Sequence, residues 1–272
     1  MNKLDIIFDE AVKLPAISQV VTDLFEMTKD GDANLHEVIE KVREDQLLSA
    51  KAISTANSSY FMKPNKIASV EQAVTLIGIS MLHVMVITSG VTRAFPKVPH
   101  MPMAKYWRHV LTSSFMAIEM AKRAGAEQEE AFTAALMQGL GILLTHVRLP
   151  SDAKKVVKIV DPLDFEGRIP VEMEIIGVSH NQVTAELLSR WHFPERIQKV
   201  IFAYPNPQSD DLLGKILFAS SQYSWGRMSG LLDGVMSDTL TEKFGSNMGF
   251  DEAWFQGKRD HVNQRVDSIL NT

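Results

Sequence analysis

Hydrophobic residues in this chain recur every three to four positions, which is the period of an amphipathic α-helix. Two stretches show this most clearly, one ending near Gly125 and one leading into Trp191. Sustained alternation of apolar and polar residues, which would indicate strands, is nearly absent. We therefore predict an all-α fold. The two stripes consist of Trp107, Val110, Leu111, Ser114, Ile118 and Ala121, and of His180, Val183, Thr184, Leu187, Leu188 and Trp191.

Helix starts are marked by polar side chains that can cap the free amides of a first turn. In each case a capping residue stands three positions before a Glu or Gln that can return the hydrogen bond. The three pairs are Asn34 with Glu37, Ser69 with Gln72, and Ser179 with Gln182. Pro194 suits the first turn of another helix, because no amide hydrogen is needed there. We expect about a dozen helices joined by short loops.

Three prolines within seven residues mark a boundary between two helical lobes. Pro96, Pro99 and Pro102 cannot lie inside a helix, because proline lacks the amide donor and clashes with the preceding turn. We predict a multi-helical, two-lobe protein with an N-terminal lobe at residues 1–95, a linker at 96–102 and a C-terminal lobe at 103–272. A terminal helix is expected at residues 251–270.

One apolar stretch is long enough to cross a bilayer. Ala73–Thr92 contains no Lys, Arg, Asp or Glu. It does contain several hydroxyl groups, a histidine and Gly78, where one helix would pass into another, so a buried helix pair is the better interpretation. The segment that begins at Met1 is acidic and lacks the apolar centre of a secretory signal. We expect no membrane insertion and a cytoplasmic location.

Composition narrows the functional classes. The 28 basic and 33 acidic side chains give a net charge of −5, so a broad basic face for nucleic acid is not expected. The absence of cysteine excludes disulfides, thiolate zinc sites and cysteine nucleophiles. The phosphate-binding loop of P-loop enzymes and the serine nucleophile elbow are also absent.

An ordered set of short fragments resembles the bacterial HDOD domain, an all-helical relative of the HD superfamily of metal-dependent phosphohydrolases. In the N-terminal lobe the fragments are Leu14–Ile17, Asp45, Ala56–Ser58, Ser69–Val74 and Leu76–Gly78. In the C-terminal lobe they are Tyr106–His109, Ala135–Gly141, Gly177–His180, Leu188–Trp191 and Phe193–Glu195. The resemblance implies structural roles for Pro15, Asp45, Asn57, Ser58, Gly78, Trp107 and Trp191.

The same resemblance places a former metal and phosphate pocket in the C-terminal lobe. Its positions are His109, Gln138, Gly139, His180 and Tyr204. His109 and His180 match histidines that hold divalent metals in catalytic HD proteins. Gln138-Gly139 stands where the superfamily has its His-Asp pair, although glutamine is a weak neutral ligand and glycine has no side chain.

Two further positions of the pattern also lack metal ligands. Ala203-Tyr204 stands where paired histidines are common, and Ser220-Ser221 stands near the final aspartate. Two imidazoles without a carboxylate do not make a hydrolytic metal site. The resemblance therefore implies a non-catalytic relative with a degenerate pocket and no catalytic or metal-binding residue.

Simpler interpretations apply to several of these residues. His180 lies on an apolar helical stripe, which favours a core histidine over a ligand. His109 lies off the stripe that begins at Trp107, so a structural and a functional role both stay open. Gly139 and Gly141 form a Gly-Leu-Gly sequence that is too short for a dinucleotide fingerprint and indicates close helix packing.

Three functions are compatible with the sequence. The first is a non-catalytic regulatory module of bacterial signal transduction that binds an unknown protein partner or a small ligand. The second is a metal-dependent phosphohydrolase of the HD superfamily, which would need ligands that the sequence does not display. The third is a nucleotide or small-molecule sensor that uses the former phosphate pocket. We favour the first, with no resident cofactor and at most an adventitious single divalent metal at the histidines.

Overall fold

Helices make up the fold wherever the structure describes the chain. The computed structural model describes residues 3–9, 20, 23–24, 27, 34–61, 66–191, 193–204, 206, 211–230, 238, 240 and 250–270. Thirteen helices and no strand lie within these ranges, and the all-α prediction is confirmed.

The helices follow one another through mostly short connections. In chain order they are α1 (Lys3–Ile7), α2 (Leu35–Arg43), α3 (Gln46–Ala56), α4 (Val70–Ala94), α5 (Met103–Ala124), α6 (Gln128–Met137), α7 (Leu140–Arg148), α8 (Pro150–Val156), α9 (Phe165–Ile175), α10 (His180–Arg190), α11 (Glu195–Ala203), α12 (Leu212–Met228) and α13 (Glu252–Leu270).

The chain divides into two compact units. The larger combines Met1–Val12 with Val98–Val266, and the smaller combines Lys13–Lys97 with Asp267–Thr272. The division after Lys97 falls inside the predicted linker at 96–102. Unlike the predicted lobe at 1–95, the smaller unit does not include the first twelve residues. They group with the larger unit because Lys3 pairs with Asp152 at 2.9 Å and Arg148 donates to the carbonyl of Ile7 at 2.8 Å.

The predicted helix caps are present. The Asn34 side chain accepts the His36 amide at 3.1 Å, and the Ser69 hydroxyl accepts the Gln72 amide at 3.2 Å. A complete capping box joins Ser179 and Gln182 at the start of α10. These bonds satisfy amides that the helices themselves cannot, which is why the cap residues locate helix starts in the sequence.

Asp45 and Asn57 have structural contacts in the smaller unit. Asp45 caps α3 by accepting the amides of Leu47 and Leu48, each at 3.0 Å. The Arg93 guanidinium beside it lowers the pKa of Asp45 to about 2. The Asn57 side chain exchanges two hydrogen bonds of 2.8 Å with the backbone of Ile67, which fixes the chain between α3 and α4.

Gly78 breaks α4 in two. Its φ of 78° and ψ of 165° lie where side-chain sterics disfavour other residues, so glycine permits the break. Gly78 thus lies between two helices of the apolar stretch Ala73–Thr92, as the sequence predicts.

The remaining motif residues lie at helix ends or in the core. Ser58 follows α3 and donates its amide to the carbonyl of Thr55 at 3.0 Å. Trp107 is buried, and Trp191 ends α10. Pro15 lies outside the described residues.

One helical run within the described ranges has the length and apolar character to cross a bilayer. It is Gln128–Arg148, which comprises α6 and α7, and 89% of its most apolar window is buried inside the structure. The two halves of α4 pass the same test only if they are joined across their break. Burial of this extent is typical of core helices in a folded domain.

α5 is the central helix of the larger unit. Thirteen of its residues are buried, because α6 and α12 pack along it. The ion pair between Lys258 and Glu119 joins α13 to it. α5 ends at Gly125, whose φ of 71° closes the helix as the sequence predicts. This burial places the polar side chains of α5 among the surrounding helices.

Candidate functional site

The predicted pocket residues come together in the interior of the larger unit. His109 lies on α5, Gln138 and Gly139 lie between α6 and α7, His180 begins α10, and Tyr204 follows α11. The side chains of His109 and Gln138 are 0% exposed, and those of His180 and Tyr204 are 1% exposed. The structure therefore places them in one buried region.

The ring of Phe165 occupies the centre of this region. Phe165 is the first residue of α9, and its ring centroid lies 4.5 Å from that of His109, 5.6 Å from that of His180 and 6.3 Å from that of Tyr106. A Cβ atom built on Gly139 would lie 2.8 Å from the Phe165 ring and 2.8 Å from the Tyr106 hydroxyl. The absent side chain at position 139 thus gives the phenyl ring its space.

His180 is bound through both ring nitrogens. Its Nδ1 donates to Oε2 of Glu172 at 2.7 Å, and its backbone amide donates to the same oxygen at 2.8 Å. Its Nε2 lies 3.2 Å from the Tyr204 hydroxyl. His180 is thus a core residue in which both ring nitrogens have a hydrogen-bond partner.

Glu172 belongs to a buried charge network that extends to His146. Arg168 donates from Nε to Oε1 of Glu172 at 2.9 Å and from Nη2 to Nε2 of His146 at 3.1 Å. Because a guanidinium has only donors, His146 accepts at Nε2 and carries its proton on Nδ1, which donates to the carbonyl of Pro99 at 2.7 Å. The side chains of Arg168 and Glu172 are 0% and 1% exposed.

The network holds one ionised carboxylate and a neutral histidine. Burial opposes the charge on Glu172, but His180 and Arg168 outweigh it and lower the pKa of Glu172 to about 2. Burial, together with the charge of Arg168, lowers the pKa of His146 to about 4. The charge of Glu172 is therefore balanced inside the protein.

His109 lies in an apolar setting. Neither of its ring nitrogens has a hydrogen-bond partner, and burial lowers its pKa to about 3. The ring stands edge-to-face against Phe165, while the backbone carbonyl of His109 accepts the Ser224 hydroxyl at 2.9 Å. At neutral pH the imidazole is uncharged.

Gln138 heads a chain of neutral hydrogen bonds. Its Nε2 donates to Oγ of Ser113 at 3.1 Å, and that hydroxyl lies 3.3 Å from Oγ of Ser220. Ser220 in turn donates to the carbonyl of Leu217 at 3.1 Å. The side of the pocket where the resemblance aligns acidic ligands thus carries an amide and two hydroxyls.

Gly141 brings two helices into close contact. Its amide donates to the Thr184 hydroxyl at 2.8 Å, and a Cβ atom built on it would lie 2.1 Å from the carbonyl oxygen of His180. α7 and α10 therefore touch through backbone at this point. This geometry agrees with the interpretation of Gly-Leu-Gly as a packing motif.

Alanine at Gly141 is expected to destabilise the protein by about 1–3 kcal/mol, because two helices would have to separate. The matched control is Gly257 of α13, which is exposed and has no atom within 4 Å of the place that a methyl group would take. Alanine there should stabilise by about 0.5–1 kcal/mol through helix propensity. Urea denaturation of both variants measures the difference, and equal midpoints would contradict the close contact at Gly141.

Sequence reasoning missed four residues that shape this region: Phe165, Arg168, Glu172 and His146. A signal for three of them is present. Phe165, Arg168 and Glu172 are spaced by three and then four positions, so they share one face of α9. The spacing therefore groups the three residues on one face, but it does not show whether the two charged residues are buried.

Comparison with known proteins places this arrangement in a family. The family model of the HDOD domain matches residues 14–207, which is well over half of the chain. The chain belongs to the HDOD family. The HDOD family and the all-α fold class expected from the sequence are thereby confirmed.

Solved structures share the fold of this HDOD protein. An HDOD domain protein with unknown function from Geobacter sulfurreducens is 20% identical, with 98% of each chain covered and a TM-score of 0.78. A protein of Shewanella amazonensis SB2B, provisionally named a phosphohydrolase, is 22% identical, with 97% of this chain and 98% of that chain covered and a TM-score of 0.77. A provisionally named signal transduction protein of Marinobacter aquaeolei VT8 is 18% identical, with 95% of this chain and 58% of that one covered and a TM-score of 0.69.

A curated relative is an uncharacterized protein of Treponema pallidum (strain Nichols). It is 20% identical over 205 residues, which make up 74% of this chain. The match spans only 39% of that relative's length. These similarities show the fold and do not carry an activity to the HDOD chain.

The pocket of this HDOD domain does not fit the divalent metal of the HD superfamily. Among the described residues, no three His, Cys, Asp or Glu side chains lie close enough together to hold a metal ion. The oxygens of Glu172 are bound by Arg168 and His180, and the Phe165 ring lies between the two pocket histidines. A metal would have to displace both the ring and the ion pair.

Proposed function

We propose that this HDOD chain is a non-catalytic regulatory module of bacterial signal transduction that acts by binding a protein partner. The observation that supports this most is the Phe165 ring between His109 and His180. A hydrolase needs an open site where a metal-bound water meets a phosphate. Here the corresponding space is filled, and the residues around it are buried.

The charge and proton chemistry of the region supports the same proposal. A phosphodiesterase would need a cation for the phosphate and a general base for the water. The charge of Arg168 is committed to Glu172, and the pKa of His109 at about 3 makes it a poor base at neutral pH. The chain would thus act without a resident cofactor, with at most an adventitious single metal.

The net charge and the burial of the apolar helices bear on the partner and the location of the protein. The negative net charge supports a protein partner over nucleic acid, and the burial of the apolar run Gln128–Arg148 supports a role without membrane insertion. We place the protein in the cytoplasm. The Marinobacter relative, provisionally named a signal transduction protein, fits this proposal, whereas the Shewanella relative keeps a metal-dependent phosphohydrolase as the alternative.

The two functions are separated by measuring metal content and turnover on the same sample. Elemental analysis of the purified chain should find no stoichiometric iron or manganese. Phosphatase and phosphodiesterase assays with added manganese, iron or magnesium should give the same background rate for the wild type and for His109→Ala. Stoichiometric metal together with turnover that His109→Ala abolishes would establish the phosphohydrolase instead.

The protein partner is sought with the intact chain as bait. Cross-linking in a bacterial lysate, followed by mass spectrometry, should enrich a defined signalling protein over a heat-denatured sample of the same bait. Binding is then measured with the purified partner. Failure of any enriched protein to bind the folded chain in purified form would count against the adaptor function.

A further inference from the structure

Four buried polar atoms without hydrogen-bond partners lie on three residues in the region of the Phe165 ring; Tyr106 and His109 contact the ring, and Gln138 precedes Gly139, where a Cβ atom would meet it. They are Oη of Tyr106, Nδ1 and Nε2 of His109, and Oε1 of Gln138. All three side chains are 0% exposed. Buried polar groups are nearly always hydrogen-bonded, and each unpaired one destabilises the fold. Four of them on three neighbouring residues indicate that the site is built for a partner other than phenylalanine.

The space that Phe165 fills has the shape of a flat ring. His109 and His180 stand edge-to-face to it at 4.5 and 5.6 Å between centroids, and Gly139 lets the backbone approach its edge. The phenyl ring satisfies the packing of these neighbours. It has no nitrogen or oxygen, so it leaves their polar atoms unpaired.

The unpaired groups are neutral. Burial lowers the pKa of His109 to about 3 and raises the pKa of Tyr106, so the imidazole is uncharged and the phenol keeps its proton. Two buried ions of the region, Arg168 and Glu172, pair with each other at 2.9 Å. A ligand here would therefore meet one histidine donor, one histidine acceptor, a hydroxyl and an amide oxygen. Phosphates, carboxylates and amines would find no unpaired opposite charge.

We propose that the pocket bounded by Tyr106, His109, Gln138 and Gly139 is a closed binding site for a neutral, planar nitrogen heterocycle, whose place the Phe165 ring holds. The inference deepens the proposed regulatory function and rests on it, because it assumes binding without turnover. Nucleobases and indole-like metabolites share this chemistry. Such a ring would keep the edge-to-face contacts and would pair with the polar atoms.

The position of Phe165 connects this site to the protein surface. Phe165 is the first residue of α9, so a shift of the first turn of that helix would withdraw its ring from the site. The move would break the bond from the Gly167 amide to Asp164 at 2.9 Å and the bond from Gln222 of α12 to Glu166 at 2.8 Å. Binding would thus change the contact between α9 and α12, which is the change that a partner protein could detect.

The proposal is tested in the whole 272-residue chain with two probes that have the size of a phenyl ring. Pyrimidine carries two nitrogen acceptors, which can accept from the Tyr106 hydroxyl and from the N–H of His109, and benzene is its hydrocarbon counterpart. In Phe165→Ala, which vacates the ring space, calorimetry should show pyrimidine binding about tenfold or more tightly than benzene. Equal or tighter binding of benzene would overturn the proposal, since the space would then be an ordinary apolar cavity.

A second substitution identifies the polar contacts. Adding Tyr106→Phe to Phe165→Ala should weaken pyrimidine binding about fivefold, the value of one hydrogen bond, and leave benzene binding unchanged. An equal effect on both probes would contradict a hydrogen-bonding role for Tyr106. If Phe165→Ala does not fold, titration of the wild type with the same probes tests the proposal in its place.

The wild type must bind these heterocycles as well. It should bind them more weakly than Phe165→Ala does, because the Phe165 ring has to be displaced first. Adenine, uracil and indole, titrated into the wild type with detection by NMR, distinguish the sources of the heterocycle. No binding of any of them, or of pyrimidine, up to the solubility limit would overturn the proposal. Turnover of phosphoesters in the same samples would instead refute the proposed non-catalytic function, so the two failures are distinguishable.

Discussion

Replacing Glu172 with glutamine is expected to lower the free energy of unfolding by about 3–5 kcal/mol, the cost of breaking a buried ion pair from one side. Arg168 would stay buried and charged without a carboxylate. Glutamine has only one amide oxygen, so its NH2 group would face either the two donors of His180 or the Nε donor of Arg168. Urea denaturation followed by tryptophan fluorescence at neutral pH measures the loss.

The matched control is Glu186→Gln on α10. Glu186 pairs with Arg190 at the same i,i+4 spacing and at 2.8 Å, but the two side chains are 38% and 39% exposed. An exposed pair of this kind contributes about 0–1 kcal/mol, so this variant should be close to the wild type. A loss at Glu172 no greater than the loss at Glu186 would contradict a charged, buried network around Arg168.

Helices and their limits could be predicted from the sequence because their causes are local. The stripe that begins at Trp107 faces the core, and Gly125 ends α5 with a left-handed backbone. The Ser179 and Gln182 pair starts α10 through bonds that span only three residues. Periodicity and capping depend on residues close in the chain, so one sequence is enough to find them.

The contents of the pocket could not be predicted in the same way. The resemblance aligned His109, Gln138, Gly139, His180 and Tyr204, and the structure gathers them in one region. It did not indicate that Phe165 would fill the space opened by Gly139, because a helical stripe shows which face is buried and not which partner meets it. Arg168 and Glu172 have the i,i+4 spacing of an exposed helix pair, and only tertiary packing buries them.

The stability of the protein is expected to fall as the pH drops below about 6.5, the ordinary histidine pKa. Burial lowers the pKa of His109 to about 3 and that of His146 to about 4 in the folded state. The unfolded chain therefore takes up protons first on acidification. The stabilisation is fully present above the histidine pKa of the unfolded chain. It is lost as the pH falls toward the histidine pKa values of the folded protein, by about 1.4 kcal/mol per pH unit for each histidine.

The Glu172 carboxylate acts in a separate, lower window. Its pKa falls from 4.5 to about 2 on folding, so its contribution is present above pH 4.5 and is lost below it. Between pH 6 and 5, the slope of the free energy of unfolding against pH therefore reports the buried histidines and contains no contribution from the Glu172 carboxylate.

His109→Phe tests this assignment because it removes the titrating ring without breaking a side-chain hydrogen bond. Urea denaturation at several pH values should show a slope between pH 6 and 5 that is shallower than that of the wild type by about 1.4 kcal/mol per pH unit. His36→Gln is the control, since His36 is exposed at the start of α2 and its replacement should leave the slope unchanged. An unchanged slope in His109→Phe would mean that His109 takes up its proton in the folded state as readily as in the unfolded chain, and the pocket around Phe165 would then be open to water.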